Sequence, residues 1–218
     1  MKYLVILFFS LISIQFVNAN NSITISLNNK LNIAKDSFEF TNQYVQVVRD
    51  SAVCTSANTN NIGSRIIVAL DNIKFKSSKG FHKLKRGQLA VFLENESYDL
   101  PKGKYFEVAI KKDHPPLTKP EQWVEPKKNT IVYEDAEFRI FEERLESSDT
   151  RELHSHAQRL VVRLNQVQLT DPRYALGKPG TGIQVANTVK FAEPVVHVVK
   201  NLSDIPLFNI VIEFKISQ

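Results

Sequence analysis

The 218-residue chain is 43% hydrophobic and 23% charged, the ordinary range of a folded protein and enough for one large domain or two small ones. Its formal net charge of +5 includes Lys2, so the rest of the chain is only mildly basic, and its single cysteine, Cys54, excludes an intrachain disulfide.

The first segment reads as an export signal. Met1-Lys2 gives a short basic start, Tyr3 to Phe16 is mostly apolar, and Val17-Asn18-Ala19 places small or apolar residues before an expected cleavage after Ala19. Roughly 14 apolar residues broken by Ser10, Ser13 and Gln15 fall short of the ~20 that cross a bilayer. No later stretch is long and apolar enough to span, so the mature protein is expected in the periplasm or secreted, with no membrane span. Cys54 lies too deep in the mature chain to take a lipid at a new N-terminus.

Short β-branched and aromatic runs between turn residues then predict strands at Tyr44–Val48, Ile66–Leu70, Leu89–Leu93 and Phe106–Ile110. Lys74, Lys76, Lys79, Lys83, Lys85 and Arg86 cluster in this part, but Ser77, Ser78 and Gly80 mark the stretch as a solvated hairpin loop, and no nucleic-acid partner is expected. A Pro-rich connector follows, with His114-Pro115-Pro116, Pro120 and Pro126, in which Trp123 is a candidate to plug a groove between domains. After residue 130 a second set of strands is predicted at Phe138–Phe141, Leu160–Leu164, Val189–Phe191 and Phe208–Phe214. Laying Tyr44 on Phe138 also puts Arg65 on Arg159 and Ile66-Ile67-Val68 on Leu160-Val161-Val162, a constant offset of 94. The offset grows later, with Phe92 on Phe191 and Phe106 on Phe208, where Asp171–Tyr174 and Gly177–Gly182 lengthen the loops with turn residues. The chain thus reads as an internal duplication: signal 1–19, first domain 20–110, linker 111–130, second domain 131–218.

The chemistry-bearing residues lie in the second copy. His154-Ser155-His156 puts two imidazoles on one face of a strand, and His197 enters another apolar strand after the Glu193-Pro194 turn. These positions resemble the cupin superfamily, whose first motif carries His-x-His and whose second carries a Pro-rich turn, a His and an Asn four residues later, matched here by His154, His156, His197 and Asn201. The resemblance implies an all-β chain of two tandem cupin-like antiparallel jelly-roll barrels, with His154, His156 and His197 as metal ligands. It departs from the family where a glutamate ligand is usual: Gln158, Arg159 and Leu160 stand there instead. The first copy is expected to hold no metal, because Asn60, Ile62 and Tyr98 fall on the three histidines.

Three neutral imidazoles can hold Fe, Zn, Mn, Ni or Cu and leave open positions for a ligand. An inward Arg159 would repel that cation yet suit an anionic ligand, while a surface arginine opening each strand is an equally plain reading of Arg65 and Arg159. Glu142, Glu143, Glu146 and Asp149 read as a charged strand edge. Two functions stay open at this point. One is an exported bicupin that binds a small polar ligand or a protein partner through Arg159, Gln158 and Asn201, without catalytic machinery. The other is a mononuclear-metal enzyme of the dioxygenase or isomerase type. Paired barrels also offer an assembly surface for a homo-oligomer.

Overall fold

The computed structural model describes residues 38–51, 61–125, 127, 129–170 and 180–215. The signal segment, Cys54, Asn60 and the turn at 171–174 lie outside them. All regular structure among the described residues is β. The first half contains β1 (Phe38–Thr41), β2 (Val45–Arg49), β3 (Ile62–Ala69), β4 (Ile73–Ser77), β5 (Gly80–Leu84), β6 (Leu89–Phe92) and β7 (Tyr105–Lys111). The second contains β8 (Asn129–Glu134), β9 (Phe138–Leu145), β10 (Thr150–His156), β11 (Arg159–Arg163), β12 (Val167–Thr170), β13 (Thr181–Gln184), β14 (Thr188–Ala192), β15 (Val195–Lys200) and β16 (Leu207–Phe214). Each predicted strand lies on one of these. Missing from the sequence reading were β1, β8, β12 and β13, and also β4 and β5, which form a two-stranded hairpin where a solvated loop was expected.

Two five-stranded antiparallel sheets dominate, in the orders β1-β2-β7-β3-β6 and β8-β9-β16-β11-β14. Relative to the chain the two orders correspond strand for strand. With Ile66 set on Leu160, the ladders put Val91 on Phe191, Val108 on Ile212 and Val47 on Ile140. By the same ladders Phe106 falls on Ile210 rather than Phe208, and Val45 rather than Tyr44 falls on Phe138. Aligning aromatic to aromatic slips by one or two residues because hairpin length, not residue likeness, sets the register.

Strand alternation sends one face of each sheet into a shared core. Val47, Ile66, Val68, Phe106 and Val108 from the first sheet meet Ile140, Leu160, Val162, Ile210 and Ile212 from the second, all fully buried. Removing each such side chain from water contributes roughly 1.5–3 kcal/mol, which makes this layer the main cohesive term. Arg86 pins its rim: its guanidinium donates to Leu70 O at 2.6 Å, to Leu164 O, and to Asn187 Oδ1 at 2.8 Å. Gly87 follows with φ +81°, and a Cβ there would lie 2.6 Å from the Phe208 ring. Gly87→Ala is therefore expected to lose about 1–3 kcal/mol of unfolding free energy, read from a urea titration, because strain and steric overlap act together. A loss within about 0.5 kcal/mol would show that this contact gives way freely.

The opposite faces differ between the halves, and that difference locates the site. In the first half Ile67, Ala69, Ile73, Phe75, Phe92 and Tyr105 pack into a second apolar cluster, so this interior is filled. In the second half the corresponding face of β11 carries Arg159, Val161 and Arg163, and the interior holds a cavity of about 280 Å³. Leu145, Val167, Val199 and Leu207 close one end of it with a small apolar cluster.

Residues 112–125 of the connector pack onto the second half. Ser155 donates to Gln122 O, its N–H donates to Val124 O at 2.8 Å, and the Val124 N–H donates to its Oγ at 2.8 Å. Trp123 is half exposed, with the Arg139 guanidinium over its ring at 5.5 Å, so it caps an open surface cavity rather than plugging a groove.

Candidate metal centre

The three histidines converge because two antiparallel strands deliver them. β10 pairs with β15 so that His154 stands directly opposite His197, and the period of two along β10 brings His156 to the same face while Ser155 turns to the connector. The ring centroids lie 4.8 Å apart for His154–His156, 4.5 Å for His154–His197 and 5.5 Å for His156–His197. All three residues are buried.

Their hydrogen bonds are incomplete in a directed way. His154 Nδ1 lies 2.7 Å from Glu152 O, which makes it the donor and leaves Nε2 with its lone pair, buried and without a partner. Neither ring nitrogen of His197 has a hydrogen-bond partner among the described residues. His156 Nδ1 lies 2.8 Å from Glu213 Oε2, the arrangement by which a carboxylate fixes the tautomer of a metal-binding imidazole. Burial holds the pKa of all three below the ordinary histidine value, His197 at about 2 and His156 well below, with Arg159 adding to the depression of His156. The rings are therefore neutral at neutral pH and present lone pairs.

One donor nitrogen from each ring lies within 4.8 Å of the others. Three nitrogens on one ion at ~2.0–2.1 Å stand about 3.0–3.4 Å apart, so a modest inward turn of the rings brings the set to a metal. The buried orphan nitrogens and the all-imidazole donor set fit a borderline divalent transition ion. Unfilled, the set makes the fold acid-sensitive. Below about pH 6.5 the unfolded chain protonates these rings while the folded chain does not. The unfolded state then binds more protons, so this share of stability is complete above that pH and falls as pH drops toward the folded values. The metal-free protein is expected to lose thermal midpoint steadily from roughly pH 7 to 5, and His197→Leu is expected to flatten the profile. Identical profiles for the two proteins would contradict neutral burial.

Around the rings lies a charged shell that sequence reasoning resolved only in part. Arg159 points inward and is buried, its Nη1 donating to Ala157 O and Glu193 O. Glu213 accepts from Arg139 at 2.7 Å, and burial nevertheless pushes its carboxyl above the usual carboxylate range. Glu143 is a partly buried ion-pair partner and not a free strand-edge charge: Arg151 Nη1 donates to it at 2.5 Å and Asn209 Nδ2 at 2.8 Å. Burial is the largest influence and opposes its ionisation, but the Arg151 charge, the Asn209 hydrogen bond and the Arg159 charge together hold its carboxyl below the usual range. The legible signal for these residues was polar spacing on apolar strands: Asn209 and Glu213 interrupt β16 four residues apart, and Arg159 and Arg163 bound β11 at the same spacing.

The other two expected ligand contacts are used within the fold. Gln158 bridges to Tyr44 Oη and Glu193 at 3.1 Å each and accepts from the Thr118 N–H at 3.0 Å. Asn201 donates to Leu145 O, Glu146 O and Ile205 O and accepts from the Ser203 N–H, so it ties the turn after β15. Neither lines the cavity.

No protein-family model matches the sequence, and no curated protein matches it. Among solved structures, the cupin 2 conserved barrel domain protein from Leptotrichia buccalis superposes with a TM-score of 0.50 at 12% identity, over 81% of this chain and 86% of that one. A cupin domain from Bordetella pertussis aligns at 20% identity over 45% of this chain and 97% of its own, with a TM-score of 0.38. The Bacillus subtilis oxalate decarboxylase described for its Mn(II) centres aligns at 11% identity over 84% of this chain and 76% of its own, with a TM-score of 0.45. The chain has the cupin fold, with a three-histidine group in its second half.

Proposed function

We propose that the second barrel holds one divalent transition metal on His154, His156 and His197 and binds a small anionic ligand beside it. The observation that carries this is the convergence of three buried, neutral imidazoles, of which His154 and His197 have ring nitrogens that no described residue satisfies. A buried polar atom without a partner costs about 1–3 kcal/mol, so a set of them aimed at one point signals a missing electrophile. When bound, the metal supplies Lewis acidity and open positions that orient a ligand oxygen.

The protein's own charges argue for an anion as that ligand. Arg159 and Arg151 stand near the rings and lower their basicity, so a dication there needs more negative charge than Glu143 and Glu213 supply. An anionic ligand completes the balance. Glu143 is ion-paired and hydrogen-bonded, and it is the single carboxylate among the described cavity residues. A free general base is therefore not part of this reading, which favours binding or metal-centred isomerase or dioxygenase chemistry over hydrolysis. The filled first barrel acts as the structural partner in a two-domain bicupin divided at 20–110 and 131–218.

Elemental analysis of the untagged mature chain tests the proposal. Close to one transition-metal ion per chain in the wild type, and almost none in His154→Ala/His197→Ala, is expected; equal and negligible content in both after incubation with Fe(II), Mn(II), Zn(II), Ni(II) and Cu(II) would overturn it. Export is proposed on the apolar N-terminal run alone, and no helix among the described residues is long and apolar enough to cross a membrane. N-terminal sequencing of the protein recovered outside the cytoplasm is expected to begin at Asn20.

A further inference from the structure

The cavity beside the histidines has a far end that the metal reading does not use. β11 presents Arg159, Val161 and Arg163 to the cavity, and the first and last of these have Cα atoms about 13 Å apart along the strand. Lys190 on β14 stands opposite Val161, between them. Among the described residues no ion pair reaches Arg159, Arg163 or Lys190, and Arg163 Nε is buried without a hydrogen-bond partner. A guanidinium with a buried, unsatisfied N–H is costly to keep, and desolvation holds its pKa below the ordinary arginine value.

Equivalent ladder positions in the first barrel make the point sharper. Arg163 corresponds to Ala69, and Lys190, opposite Val161, corresponds to Ala90, opposite Ile67. Ala69 belongs to the apolar cluster that fills that barrel and Ala90 packs against it. The two cations are thus present where there is a cavity and replaced by small apolar residues where there is none. They are not needed to build the sheet.

We propose that this cavity recognises a small dicarboxylate, of about four to six carbons, held at both ends. One carboxylate lies against Arg159 and the metal position; the other takes paired N–H donors from Arg163 with Lys190 closing over it. A volume of about 280 Å³ accommodates a molecule of this size. Two cationic ends separated along one strand select a ligand charged at both ends over a monocarboxylate of equal length. The inference rests on the reading of this cavity as the ligand site and names the ligand class for it.

Calorimetric titration of the full mature chain with glutarate, adipate, pentanoate and hexanoate, on samples whose metal content is measured alongside, tests it. Glutarate or adipate is expected to bind at least about tenfold more tightly than the monocarboxylate of equal length. Arg163→Gln and Lys190→Gln are each expected to remove most of that preference while metal content stays at the wild-type level. Lys190 is exposed, so its replacement leaves the fold intact should Arg163→Gln fold poorly. Metal-replete wild type that binds neither dicarboxylate, or equal dicarboxylate preference in wild type and Lys190→Gln, overturns the proposal. A chain that takes up no metal yet shows the Lys190-dependent preference supports it and defeats the metal reading alone.

Discussion

Arg151→Ala is expected to lower unfolding free energy by about 3–5 kcal/mol, one of the largest single-residue effects in the molecule. Arg151 is buried on β10, three residues before His154, and its guanidinium satisfies Glu143 at 2.5 Å, Asn129 Oδ1 and Lys127 O. Removing it leaves Glu143, whose side chain is 13% exposed, without its ion-pair partner and with Asn209 as its remaining close donor. The loss therefore comes from the stranded carboxylate and not from the value of the pair itself. A second replacement separates the two: Arg151→Met/Glu143→Leu removes both charges and is expected to recover most of the stability in urea denaturation. If the double variant is as unstable as the single one, packing around Arg151 rather than charge carries the effect.

Glu213→Gln is expected to weaken metal binding by about 10- to 100-fold with a smaller effect on folding. Oε2 of Glu213 accepts from His156 Nδ1, while Oε1 accepts from Arg139. The carboxylate thereby fixes the proton on Nδ1 and leaves Nε2 of the ring to face the other imidazoles. An amide at this position can accept from one neighbour but presents an N–H to the other, which leaves either His156 or Arg139 facing a donor. Competition with a chelator of known affinity measures the change. Unaltered metal affinity in this variant would mean that His156 is oriented by packing against Phe141, whose ring stacks on it at 6.0 Å, and not by its hydrogen bond.

Apart from the edge strands β1 and β8, the strands of the two large sheets were legible because each needs a run of β-branched and aromatic residues to fill the shared core. Ile66-Ile67-Val68 and Leu160-Val161-Val162 leave few other options. The histidine group was legible for a related reason, since a spacing of two on a strand fixes a common face whatever the surroundings. What the sequence could not supply was depth and partnership. Arg159 sits at the start of a strand, where exposed and buried arginines look alike, and only the β14 and β16 ladders on either side of it place it inside. Asn201 and Gln158 have the right residue type for a ligand contact, yet each is consumed by turns and linker carbonyls or amides brought in from distant parts of the chain. Glu213 lies 57 residues from His156 in sequence, and nothing local in β16 foretells that pairing.

The most direct measurement is anomalous diffraction from crystals of the mature chain grown with Mn(II) or Zn(II), collected on either side of the metal absorption edge. One anomalous peak about 2.0–2.3 Å from a ring nitrogen of each of His154, His156 and His197, with Glu213 still against His156 Nδ1, is the result expected here. Ordered imidazoles with no peak among them at saturating metal, or a peak bound elsewhere on the chain, would contradict a metal centre in the second barrel.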